Sequence, residues 1–163
     1  MGEYPTRLFD KVEPVPPDVP QNILSDYGLQ VVQGLTGELV EQLVERSKEA
    51  AVSEYCQNDG LSRFASVEAA QRWLQKGRLA LPLVKAAGGG SLELMGMGWM
   101  VPGQHGEDGP EIPDAQTTFA VRLYEGATGQ GNAVPYTRAI LAAHQSLMGN
   151  NDGVWLEAWG DNY

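Results

Sequence analysis

The spacing of apolar residues changes several times along the chain, and each change marks an element. "LQVVQGL" (29–35), four of whose seven residues are Leu or Val, predicts a first strand. In "TGELVEQLVERSKEAAVSEYC" (36–56), Leu39, Val40, Leu43, Val44 and Ser47 recur at helical spacing, which predicts one helix with Thr36 as its N-cap. A second helix is expected in "SVEAAQRWLQKG", capped by Ser66 and ended by Gly77, with Val67, Ala70, Trp73 and Leu74 on one face. From Leu79 the rhythm turns to strands: "LALPLVKAA", a "GGG" turn, "SLELMGMGWMV", a polar loop "PGQHGEDGPEIPD", and "QTTFAVRLYEG", a three-stranded meander. A glycine-rich loop then opens a third helix, "NAVPYTRAILAAHQSLM", whose Pro135 falls in the first turn, where a missing N–H is harmless. "GNNDG" ends that helix and "VWLEAW" predicts a last strand, giving the order β-α-α-β-β-β-α-β.

Ahead of these elements, residues 1–27 hold five of the ten prolines, which excludes a long helix or a central strand. We read them as an extended arm preceding a domain at 28–163. Tyr4, Leu8, Phe9, Ile23, Leu24 and Tyr27 are apolar enough to lay the arm on that domain. The chain has 163 residues and is 42% hydrophobic, sufficient for one core. Its net charge of −10 argues against nucleic acid or an anionic membrane as a partner and suits an amine better. No apolar run is long enough to span a membrane and no leader pattern precedes the arm, so a cytoplasmic location is expected. Cys56, the one cysteine, excludes an internal disulfide, and no metal site is expected.

Candidate chemistry centres on "EGATGQGNAVPYTRAIL" (125–141). Glycines at the start of a helix leave backbone N–H groups free beside the positive end of the helix dipole, a common seat for phosphate. The phosphate-loop pattern with a terminal lysine fails, because Asn132 and Ala133 stand where lysine and serine or threonine are needed. The dinucleotide fingerprint fails at Val134, where a third small residue is needed. The loop and the order of elements together resemble the GNAT superfamily of acyl-CoA-dependent N-acetyltransferases, over about residues 29–162. The family signature of Arg or Gln, two residues, Gly, one residue, then Gly or Ala falls on Thr128, Gly129, Gln130, Gly131, Asn132 and Ala133. Gly131 and Ala133 fit the small positions, and Thr128 stands where the family carries Arg or Gln.

The resemblance implies an α+β fold in αβα layers: a mixed, mostly antiparallel sheet flanked by helices and short at its C-terminal end, since the sequence stops at Asn162 and Tyr163. It implies transfer of an acetyl group from acetyl-CoA to a primary amine of a small molecule or peptide, with a non-catalytic acyl-CoA-binding module or subunit as the alternative. Cofactor contacts are expected from Val121, Arg122 and Leu123 along the strand, from Thr128, Gly129, Gln130, Gly131, Asn132 and Ala133 in the loop, and from Asn162. Val121 is the expected N–H donor to the thioester oxygen, and Glu125 and Glu157, with Glu93, are the candidate bases. Alternation places Arg122 and Tyr124 on one strand face and Phe119, Val121, Leu123 and Glu125 on the other. His105 is read as part of a connecting loop and His144 as a packed or surface residue. A copy of the chain or another partner is expected to cover the edge of "VWLEAW".

Overall fold

The computed structural model describes residues 9–102, 115–148 and 153–155. A short edge strand β1 (Glu13–Pro14) and a one-turn helix α1 (Asn22–Asp26) precede β2 (Leu29–Gln33). Then come α2 (Gly37–Arg46), α3 (Ala50–Tyr55), a π-helical turn (Asp59–Arg63) and α4 (Val67–Leu74). The chain continues through β3 (Leu79–Ala80), β4 (Leu83–Gly88), β5 (Ser91–Pro102) and β6 (Ala115–Leu123) to α5 (Ala133–Met148) and β7 (Gly153–Trp155). The strands form one sheet in the order β1-β2-β4-β5-β6-β7, with β3 pairing β5 beside this path. Every pairing is antiparallel except that of β6 with β7, which α5 connects. The fold is therefore α+β with a mostly antiparallel sheet, as expected.

Two apolar clusters show the layers. Leu39, Val40, Leu43 and Val44 of α2 and Ala70, Trp73 and Leu74 of α4 pack with Val32, Val84, Leu94, Met97 and Trp99 on one sheet face. Tyr136, Ala139, Ile140 and Ala143 of α5 and Leu24 of α1 pack with Leu29, Val31, Leu83, Met95 and Met100 on the other. Within the first cluster, Phe64, Trp73 and Trp99 meet edge to face, with centroids 5.0–5.8 Å apart. Both predicted caps form: the Thr36 hydroxyl accepts the N–H of Leu39 and that of Ser66 accepts the N–H of Ala69.

Three expectations need correction. The single helix over 36–56 is two, because after Arg46 the bonds tighten to Lys48 N–H on Glu45 and Glu49 N–H on Arg46, and Glu49 adopts ψ 145°. The buried Ser47 hydroxyl donates back to the Leu43 carbonyl at 2.7 Å, a local bond that competes with helix continuation. The strand "LALPLVKAA" is likewise interrupted: Pro82 has no N–H to give, so β3 and β4 stand on either side of it. The arm lies on the domain, as expected, but not through all the residues named for it. Pro14 sits opposite Val32 on an edge strand, where proline is tolerated, and Val15, Val19 and Leu24 are buried. Ile23 and Tyr27 face solvent instead.

Candidate functional site

The segment between β6 and α5 is held in shape by its own polar groups. Gly126, Gly129 and Gly131 all take positive φ, 96°, 74° and 76°, a region closed in practice to other residues at such turns. Ala127 is wholly buried and anchors the loop on the α5 face of the sheet. Asn132 is the residue before α5, and it is 1% exposed. Its amide Nδ2 donates to the Ala127 carbonyl at 3.1 Å and to Gln130 Oε1 at 3.4 Å, and Gln130 Nε2 donates to the Gly126 carbonyl at 3.3 Å. Asn132 Oδ1 has no partner among the described residues, since the third helical residue, which usually offers its N–H to an N-cap, is Pro135. Asn132 thus fastens the loop rather than capping the helix.

Among the described residues, the backbone N–H groups of Thr128, Gly129, Gly131, Asn132 and Ala133 donate to no acceptor in the protein, and that of Gln130 closes only a weak turn. They gather where α5 places the positive end of its dipole. A Cβ added at Gly129 or Gly131 would meet nothing within 4 Å, so the loop leaves open space in front of it. N–H groups left free at a helix N-terminus suit an anion with several oxygens.

Along β6, the Tyr124 N–H donates to the Met95 carbonyl at 3.0 Å, and the Arg122 carbonyl points at β5, 2.8 Å from where a Gly96 Cβ would stand. In an antiparallel ladder alternate residues turn both polar groups to one side, so the N–H and C=O of Val121 turn away from β5. The neighbour on that side is β7, and its described pairing covers Ala115, Thr117 and Thr118 only. Beyond Thr118 the outer edge of β6 has no strand against it among the described residues. The expected alternation of side chains holds along the strand, where Phe119, Val121 and Leu123 pack with the α5 cluster and Arg122 and Tyr124 face α2–α4, but it does not extend to Glu125, which lies in the turn beyond β6.

The remaining sequence-expected residues are dispersed. Arg122 is committed to Asp59, with Nε on Oδ2 at 2.8 Å and Nη2 on Oδ1 at 3.3 Å. Burial works against its charge, but the charge and hydrogen bonds of Asp59 outweigh burial and raise its pKa above the ordinary value. Glu125 lies beyond the end of β6, exposed. Its N–H donates to Glu49 and its carbonyl accepts from Arg46, both on the α2 side of the sheet, not the Val121 side. Glu93 pairs with Arg46 at 3.3 Å. His144 is buried on α5. Glu157, Asn162 and His105 lie outside the described residues, and among those described no group of side chains is arranged to hold a metal ion.

Two arginines were missed by the sequence reading. Arg46 donates to the Leu94 and Glu125 carbonyls and to Glu49, so it ties α2 to β5 and to the entry of the loop. Arg63 holds Asp59, four residues before it, at 2.9 Å. That i,i+4 spacing of opposite charges was the available signal. Comparison with families of known proteins, with curated sequences and with solved structures finds no match for this chain. Among the described residues, no helix is long and apolar enough to cross a membrane.

Proposed function

We propose that this chain is an N-acetyltransferase of the GNAT type, taking the acetyl group of acetyl-CoA to a primary amine. The observation that carries the reading is the unit β6–loop–α5–β7. Two parallel strands are paired at one end, and a loop of unbonded N–H groups follows the other end of β6. Ligands of parallel strand units bind at the carboxyl ends of the strands, where helix N-termini also gather. In the proposal the N–H groups from Thr128 to Ala133 hold the diphosphate of the co-substrate, and Asn132 and Gln130 keep the loop preorganised for it. The chain of Phe119, Val121 and Leu123 lies along the pantetheine arm.

Acetyl-CoA supplies an activated acyl group, and the protein supplies position and polarisation. The outward N–H of Val121 donates to the thioester oxygen and draws charge onto it as the amine nitrogen attacks the carbonyl carbon. The C–N bond forms and the C–S bond breaks, and the proton lost by the amine balances the charge of the departing thiolate. Glu125 and Glu157 are the candidates to accept that proton.

The reading is tested by titration calorimetry with acetyl-CoA and by thiol release in the presence of an amine panel. The wild-type chain is expected to bind, and Gly131→Val to lose binding. The branched side chain enters the open space before the loop and forces φ 76° on a residue that resists it, at about 1–2 kcal/mol of fold stability. A wild-type chain that does not bind acetyl-CoA, or a variant that binds as tightly, would overturn the proposal. Binding without release by any amine would instead establish a non-catalytic acyl-CoA module.

A further inference from the structure

The segment between α3 and α4 builds a charged cluster on one face of the sheet. Its π-helical turn is closed by the Phe64 N–H on the Asp59 carbonyl at 2.7 Å, five residues apart, and by the Asp59 N–H on Cys56 at 2.9 Å. Turns of this kind recur at functional sites. Gly60 presses it onto the end of α2: a Cβ there would lie 2.9 Å from the Ser47 carbonyl oxygen. The turn holds Asp59 wholly buried, between Arg63 and Arg122.

The charges do not balance. Asp59 is the one carboxylate paired with either arginine among the described residues, so two guanidiniums share one negative charge. Burial pushes the Cys56 thiol up, with Arg122 pulling less strongly the other way, so the adjacent thiol adds no charge near neutral pH. Both guanidiniums lie over the ring of the buried Trp99, at 4.8 Å for Arg122 and 5.8 Å for Arg63, on an apolar floor that strengthens their electrostatics. Arg63, one-third exposed, has one N–H donor on Asp59, and no other hydrogen bond of its guanidinium is found among the described residues.

The position is as informative as the charge. Arg122 Nη1 also donates to the Val121 carbonyl at 3.2 Å, which brings the cluster to the outer edge of β6. That edge carries the Val121 N–H, and the cluster approaches it from the α2–α4 face, opposite α5. We propose that Arg63, backed by Arg122, is a carboxylate-binding subsite for the acetyl acceptor, so that the preferred acceptors are amines bearing a carboxylate, as amino acids do. The assignment of this carboxylate to an acceptor rests on the acetyltransferase reading. A planar guanidinium pairs a carboxylate through two parallel N–H bonds, and in an α-amino acid the amine lies two bonds from the carboxyl carbon. On a chain of net charge −10, a surplus positive site selects anions by contrast with the rest of the surface.

The test has two arms on the full chain. In the first, acetyl transfer from acetyl-CoA is compared for L-leucine and L-leucinamide, and for L-phenylalanine and L-phenylalaninamide. The acids are expected to be favoured at least tenfold in kcat/KM, although the amides hold the less basic and more readily neutral amine. Arg63→Gln is expected to reduce that acid-to-amide ratio about tenfold, through KM. Asp59 keeps both bonds to Arg122 in this variant. In the second arm, the Arg63 guanidinium resonance is followed by nitrogen NMR as each acid or amide is added to the wild-type chain without acetyl-CoA. A saturable shift with L-leucine and none with L-leucinamide supports the subsite. Equal response to acid and amide, or none to either, overturns it. If no amine supports transfer and acetyl-CoA does not bind, the acetyltransferase reading fails, and the resonance of Arg63 still decides whether a carboxylate binds.

Discussion

Tyr124 and Tyr136 are both wholly buried, on opposite faces of the sheet, and they differ in what their hydroxyls meet. Tyr136 donates to the Leu81 carbonyl at 2.6 Å, whereas the Tyr124 hydroxyl has no partner among the described residues. Burial pushes both phenols well above their ordinary pKa, so each stays neutral. An unpaired buried hydroxyl costs about 1–3 kcal/mol, and a paired one contributes about 1 kcal/mol. Tyr124→Phe is therefore expected to raise unfolding stability by about 1–2 kcal/mol and Tyr136→Phe to lower it by about 1 kcal/mol, read from urea midpoints at constant slope. A loss in Tyr124→Phe would mean that the hydroxyl is served by a bound molecule. Single residues were legible in the sequence where the signal was local. Alternation along "FAVRLY" gave the face of Arg122 and Tyr124, and the helix start gave the glycines of the loop. The partner of Arg122 was not legible, because Asp59 is 63 positions away and only the fold brings them together.

Elements follow the same division between local and distant causes. Thr36 and Ser66 cap their helices as the sequence predicts, because a cap needs only the three residues after it. The breaks after Arg46 and at Pro82 cut through runs whose apolar rhythm continues, and rhythm alone carries no mark of them. The glycines of "MGMGW" have a reason visible only in three dimensions. A Cβ at Gly98 would collide with the Ile140 side chain, and one at Gly96 would lie 2.8 Å from the Arg122 carbonyl oxygen and 3.0 Å from Tyr136 Cε2. These two positions let α5 settle directly on β5. Gly96→Ala is expected to destabilise the fold by about 1–3 kcal/mol, since backbone and packed ring must both shift. Gly37→Ala serves as the contrast: nothing lies within 4 Å of its Cβ at the first residue of α2, and a gain of about 0.5 kcal/mol is expected. Thermal unfolding of the two variants side by side checks the pair, and equal effects would mean that β5 and α5 are not in tight contact.

On the scale of the whole molecule, the N-terminal arm settles one edge of the sheet. The arm closes the β2 edge, with Glu13 opposite Gln33 and Pro14 opposite Val32, and a proline on an edge strand discourages further pairing. It then crosses to the α5 face. Gln21 Oε1 accepts the Val31 N–H, Asp18 accepts from Ser146 at 2.6 Å, and Val15 and Val19 enter the cluster around α5. Composition was enough to read an extended segment lying on the domain, but not which edge it would take, because strand pairing across the chain leaves no local trace. Removing residues 1–20 uncovers the β2 edge and the partners of two valines. Burial of each is worth about 1.5–3 kcal/mol, offset in part by the freedom the arm regains. The truncated chain is expected to lose about 2–4 kcal/mol in urea unfolding and to self-associate through the exposed strand, which light scattering detects. An unchanged midpoint in a chain that stays monomeric would mean that the arm only drapes over the domain, and that the sheet is complete from Leu29 onward.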